Sequence, residues 1–287
     1  MIDFDYIEGT KFISVADLKY CCKYDYYPHA VYDTDLNEEN LNSIDKEIIT
    51  VYTNTFCVNS LFEILNRFNT SKKIVLITHN SDDEVNAEIF GKKSKIIIKW
   101  YSTNVNYNNN DLISIPIGLE NPIWYNADDK INKIYKKSKD FKDFKNLLYI
   151  NHAIDSYAIE ERTKPYQLFR NKNWATLVEG RNGQNFDGYL DNLSSHKFIL
   201  SPIGNGIDCH RLWEILYIGN IPIVIKNKNN LFYSDLPILY VDSWEEITET
   251  FLNERYEIIE ENKRNDVYNM KKLTFMYWKN LIQNTNL

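Results

Sequence analysis

Short apolar runs that do not alternate with polar residues recur along this chain, each separated from the next by a segment of helical spacing. A half-exposed strand alternates; an unbroken apolar run needs cover on both faces. Parallel sheets flanked by helices supply that cover. In the first half such runs occur in EIITVYTN (47–54), KKIVLITHNSDDE (72–84), KIIIKW (95–100) and DLISIPIGLENP (111–122). Segment 58–68 has helical spacing, with Leu61, Ile64 and Leu65 on one face. The rhythm restarts at NLLYINH (146–152), with a helix over 158–170, a strand over 174–180 and a short helix or turn over 188–196. Further strands follow at 197–202, 221–226 and 237–241, then helices over 243–255 and 268–282. Charged segment 127–145 reads either as a surface helix or as the bridge between domains. The expectation is an α/β chain of two units, an acceptor-side 1–135 and a nucleotide-sugar-binding 136–287. Their sheets would meet at a cleft formed by carboxyl strand ends.

A formal charge of −7 excludes the strong basic field of a duplex nucleic-acid binder. No stretch approaches the ~20 apolar residues needed to span a bilayer, and the N-terminus lacks a secretory pattern. A soluble, cytoplasmic chain is expected (host cytoplasm if viral). Cys21, Cys22, Cys57 and Cys209 do not fit a zinc spacing, and buried thiols are expected in place of disulfides.

The most informative segment is 194–244. Lys197–Leu200 read as a strand, and Ser201, Pro202, Gly204, Asn205 and Gly206 as a tight turn. Asp208–Ile218 read as a helix with Leu212, Ile215, Leu216 and Gly219 facing the core. A turn entering a helix presents backbone N–H groups and the positive dipole end. Glycines allow close approach, so the turn suits a diphosphate or serves structure alone. Ile207, Arg211 and Glu214 share one helix face. Arg211 reaches phosphate through its guanidinium fork, and Glu214 accepts from a ribose cis-diol; the bland alternative is a mutual Arg211–Glu214 pair. His210 binds donor or fills core, and Asp208 favours the helix start.

KFILSPIGNGIDCHRLWEILYIGNIPIV, followed by LPILYV and Trp244, resembles the exostosin-like glycosyltransferases, including compact forms from large algal viruses and bacteria. About 50 residues carry the resemblance. It implies a GT-B-type enzyme of two Rossmann-like lobes, with a UDP-sugar donor in the second lobe and a glycan acceptor in the first. It places Ser201, Gly204, Asn205, Gly206, Arg211 and Glu214 beside the donor. Inversion, xylose, galactose or glucuronate as the transferred unit, no tightly bound cofactor and no essential metal are likewise what the resemblance implies. The given sequence is shorter than animal and plant members of that family, and no membrane anchor is expected in it.

Transfer with inversion needs a base and a cation for the leaving diphosphate. Asp82 is the first candidate base and His79 the second, at a strand-to-loop junction; Asp83 is read as a helix cap. Arg162, in the helix after 146–152, is a further phosphate ligand, with Arg181 and Lys197 behind it. Trp174 and Tyr149 pack near a base or in the core, and Tyr217 and Phe198 are structural. The alternatives are a GDP-fucose-type transferase and an inactive nucleotide- or glycan-binding protein; a purely structural interaction protein is third.

Overall fold

Among the described residues the β-branched runs form ten strands in two all-parallel sheets. A computed structural model of the chain describes residues 5–22, 34–122, 126–140, 144–154, 157–178 and 185–285. The first sheet contains β1 (Leu18–Tyr20), β2 (Ile48–Asn54), β3 (Lys73–His79), β4 (Ile97–Ser102) and β5 (Leu112–Ser114), in that spatial order. The second contains β6 (Asn146–Ile150), β7 (Ala175–Leu177), β8 (His196–Leu200), β9 (Ile221–Ile225) and β10 (Leu239–Val241), ordered β10-β9-β8-β6-β7. Helices α1 (Gly9–Ile13), α2 (Glu38–Ser43), α3 (Val58–Leu65) and α4 (Ala87–Gly91) accompany the first sheet. Helices α5 (Ala127–Ser138), α6 (Ile159–Phe169), α7 (Phe186–Ser195), α8 (His210–Ile218) and α9 (Glu249–Arg264) accompany the second, and α10 (Phe275–Gln283) ends the chain.

Two compact units result: Asp5–Ile117 with Thr274–Leu287, and Gly118–Leu273. Segment 127–138 therefore belongs wholly to the second unit. Its Ile131 and Ile134 are buried, and Lys133 and Lys137 pair with Asp187 and Asp191 of α7. Helix α10, from the far end of the sequence, groups with the first sheet, where Tyr101 Oη reaches Thr285 Oγ1 at 2.8 Å. Among the described residues no helix is long and apolar enough to cross a membrane.

Continuous apolar runs are buried as expected. In β2 and β3 every residue after the first is buried, so both sheet faces are covered. Several local expectations change. Cys22 and Cys57 form a disulfide, with Cα atoms 5.3 Å apart, where thiols were expected; Cys21 and Cys209 stay free. The parallel register Tyr20↔Thr53 brings both positions to one sheet edge, a proximity hidden by a sequence separation of 35. Gly219 does not face the core. It is the exposed αL residue closing α8, at φ 93°, a conformation that favours glycine. Asp83 caps no helix: Asn86 caps α4, accepting from Ile89 N. Asp208 is not an N-cap either. Helix α8 begins two residues later, and the buried carboxylate accepts the indole N–H of Trp213 at 3.0 and 3.1 Å.

Pro165 lies inside α6 without breaking it. Lacking an N–H, it leaves the carbonyl of Glu161, four residues earlier, without its helical donor. Trp244, 1% exposed, donates its indole N–H to that oxygen at 3.1 Å. Trp244 opens a 3₁₀ turn held by a Ser243/Glu246 capping box, so the donor is fixed before it meets the helix. Trp244→Phe keeps most of the ring but leaves the carbonyl unpaired. It is expected to cost about 1–3 kcal/mol in urea unfolding. An unchanged midpoint would show that the indole contributes by packing alone.

Candidate functional site

Strand order locates the site before any side chain is considered. The first sheet grows in one direction, β1 to β5, without reversal. In the second, β7 adds to one side of β6 and β8 to the other. In open α/β sheets a reversal of this kind, at the carboxyl ends of the two strands it separates, is the position where ligands bind. The loop after β6 carries His152 and leads to α6; the loop after β8 is the 201–206 turn, which leads to α8.

Arg162 of α6 ties these two loops together. Its Nη1 donates to Ile203 O at 2.9 Å, and its Nε donates to Ala153 O. The neighbouring Glu161 accepts from Ile203 N at 3.1 Å, and burial raises its pKa against the opposing effects of that bond and of Arg162. Gly204 packs closely against two side chains here. A Cβ would stand 3.0 Å from Cys209 Sγ and 3.2 Å from Arg162 Nη1. Gly206 is buried and its carbonyl accepts from Gly204 N at 3.0 Å, closing the turn; Asn205 is exposed at its tip, and Ser201 is buried at its base. The N-cap residue of α8, Cys209, makes no side-chain capping hydrogen bond, and a helix start favours an anion.

Arg211 and Glu214 do not pair with each other. Tyr189 of α7 stands between their functions: its hydroxyl donates to Glu214 Oε2 at 2.8 Å, while the Arg211 guanidinium lies 5.3 Å from its ring centroid. Burial is the main reason that the Tyr189 phenol is held well above its ordinary pKa, so it stays a donor to Glu214. Among the described residues Arg211 makes no ion pair and no hydrogen bond, and its Nη1 is buried without a partner. A buried guanidinium nitrogen without an acceptor is costly. An anion at this edge would remove that cost.

No protein-family model and no curated protein matches this chain.

His152 was not among the residues singled out from sequence. It is 1% exposed, its Nε2 lies 2.7 Å from Arg162 O, and its Nδ1 has no partner. Burial, reinforced by the charges of Arg211 and Arg162, lowers its pKa to about 3 despite the bond to the Arg162 carbonyl. Tyr189 was likewise missed. The only sequence signals were a histidine two residues past an apolar strand and an aromatic on a short helix.

The remaining expected residues fall elsewhere. His210 is half-buried and its Nδ1 lies 2.8 Å from Gly118 O. Lys197 Nζ sits 4.0 Å over the Tyr256 ring, and Trp174 packs against the second core. Tyr149 and Phe198 are fully buried, and Tyr217 donates to Leu273 O at 2.8 Å. Arg181 lies outside the described residues. Asp82 and His79 belong to the other unit. Asp82 is exposed on the loop after β3. His79 is fully buried, stacked on Phe12, with Nε2 3.0 Å from Pro116 O and Nδ1 accepting from Asn80 N at 2.7 Å. No lone pair of that ring is left open. Among the described residues no group of three or more His, Cys, Asp or Glu side chains is arranged to hold a metal ion.

His152 makes stability depend on pH. Its ordinary pKa of 6.5 applies to the unfolded chain, and the folded value is about 3. Between these values the unfolded state binds more protons, so stability is highest above pH ~6.5 and falls as pH falls toward 3, by up to about 1.4 kcal/mol per pH unit. His196, also lowered by burial, adds in the same direction. In urea unfolding at pH 4–7, His152→Gln is expected to flatten this slope relative to the parent chain. Parallel pH profiles would contradict the assigned protonation state.

Proposed function

We propose that the chain is a nucleotide-sugar-dependent glycosyltransferase whose donor diphosphate binds at the carboxyl ends of β6 and β8. The observation carrying this reading is the uncompensated Arg211 guanidinium at the start of α8, beside a glycine turn and at the reversal of strand order. A diphosphate supplies the anionic oxygens that Arg211 lacks, and the first turn of α8 supplies N–H donors. Glu214 Oε2 is engaged by Tyr189, and its other oxygen is assigned to the ribose diol.

Arg211 would neutralise the departing diphosphate, the charge that grows as the anomeric bond breaks. Arg162 holds the turn through backbone carbonyls and adds its charge to the field there. The resemblance of residues 197–224 to exostosin-like enzymes favours UDP as the nucleotide and the two units as the lobes of a GT-B-type transferase. It also favours transfer of xylose, galactose or glucuronate to a glycan hydroxyl with inversion. The base in this reading is Asp82, ahead of His79, whose ring is engaged.

Equilibrium binding of UDP tests the site. Arg211→Ala is expected to weaken binding at least tenfold, the loss of about 1.5–3 kcal/mol for charge-assisted hydrogen bonds. Tyr189→Phe releases Glu214 toward Arg211 and is expected to weaken it by a smaller factor. UDP binding untouched by Arg211→Ala, with folding verified by circular dichroism, would remove Arg211 from the site.

A further inference from the structure

His152 has one ring nitrogen committed and one open. Its Nε2 faces the carbonyl oxygen of Arg162, which can only accept, so the ring proton resides on Nε2 and Nδ1 carries a bare lone pair. The backbone around the ring is fixed as well: Tyr166 Oη accepts from His152 N at 3.0 Å and donates to His152 O at 2.8 Å. Turning the ring over would give up the bond to Arg162 O. The Nδ1 lone pair is therefore held in place, buried and without a hydrogen-bond donor. A buried acceptor left open asks for an explanation, and a ligand is one.

The lone pair also restricts what that ligand presents. A diphosphate oxygen at neutral pH is an acceptor facing an acceptor, so phosphate does not satisfy Nδ1. The nearby guanidinium groups of Arg211 and Arg162 oppose conversion of the ring to a second cationic donor. What fits is a neutral O–H beside the anionic oxygens that Arg211 takes. In a nucleotide sugar the hydroxyls closest to the diphosphate are those of the ribose and of the transferred sugar; the base lies farther along.

We propose that His152 Nδ1 accepts a hydrogen bond from a ligand hydroxyl flanking the diphosphate, making His152 a hydroxyl-reading residue of the donor site. The inference rests on the nucleotide-sugar reading above. It adds a specificity element that a site for diphosphate alone does not contain. Polar ligands that satisfy Arg211 but lack a suitably placed hydroxyl leave Nδ1 unpaired and bind more weakly.

The test is titration calorimetry on the full chain and on His152→Phe. The probes are UDP, 2′-deoxy-UDP, 3′-deoxy-UDP, UDP-xylose, UDP-galactose and UDP-glucuronate. If the ribose supplies the hydroxyl, one deoxy analogue binds the parent chain roughly 3–10-fold more weakly than UDP, and that penalty is smaller in His152→Phe, which keeps only the share due to Glu214. If the transferred sugar supplies it, UDP binds both proteins alike and at least one sugar conjugate loses roughly 3–10-fold in the variant. Deoxy penalties and conjugate affinities that are the same in both proteins overturn the proposal while leaving the nucleotide site standing. Absence of binding by every probe removes both. A second measurement needs no variant: the imidazole ¹⁵N resonance of Nδ1 should move upfield, from an open lone pair toward a hydrogen-bonded one, in saturating ligand. A resonance unmoved by UDP and by all three conjugates overturns the proposal even where His152→Phe fails to fold.

Discussion

Between β6 and β8 the second sheet reverses its direction of growth, and the candidate site depends on that reversal. Loops leaving adjacent parallel strands normally cover the sheet on the same side. Where the order reverses they part, and backbone groups at the strand ends are left accessible. At this reversal stand the start of α8, a turn closed by the Gly204–Gly206 hydrogen bond, and buried His152, two residues past the end of β6. The first sheet has no such reversal. At its carboxyl edge the fully buried Thr78 donates Oγ1 to Ser102 Oγ at 2.7 Å and accepts from Trp100 Nε1 at 2.8 Å, while the hydroxyls of Thr55 and Thr103 are buried without a partner.

At this reversal, charge is arranged so that the cation with no carboxylate is the one free to meet a ligand. Arg162 is spent on two backbone carbonyls and fixes the turn. Arg211 is positioned by the face of Tyr189, and the same residue's hydroxyl occupies Glu214. An Arg–Glu pair three residues apart on a helix would ordinarily associate weakly in water, by ~0.2–0.5 kcal/mol. Here half-buried Tyr189 engages each of them instead, Glu214 through its hydroxyl and Arg211 through its ring. The arrangement is one of positioning, and its cost in unpaired buried nitrogen falls on Arg211 and His152.

Much of this was legible from residue order. Apolar runs without alternation placed β2, β3, β4, β6, β8 and β9 within a few residues of their positions, because parallel strands covered on both faces have little freedom in composition. The turn and helix over 201–218 were read from Gly204, Gly206 and the spacing of Leu212, Ile215 and Leu216. Features set by long-range register were not legible. Strand β1 has three residues, too short for a periodic signal, and the Cys22–Cys57 bond follows from its pairing with β2. The continuity of α6 through Pro165 was not legible because its compensating donor, Trp244, lies 79 positions onward (244 − 165). His152 and Tyr189 were silent because a single histidine and a single tyrosine carry no pattern; only the parallel pairing of β6 with β8 gives the histidine its place beside the 201–206 turn.

Hydrogen exchange by mass spectrometry, with and without saturating UDP, tests the central claim most directly, because it reads where the ligand acts without altering the chain. Slowed exchange confined to peptides spanning 150–154 and 201–214 is the result expected if the diphosphate occupies the carboxyl ends of β6 and β8. UDP binding that slows exchange only in the first sheet, or binding that leaves both of these segments unprotected, would contradict the account.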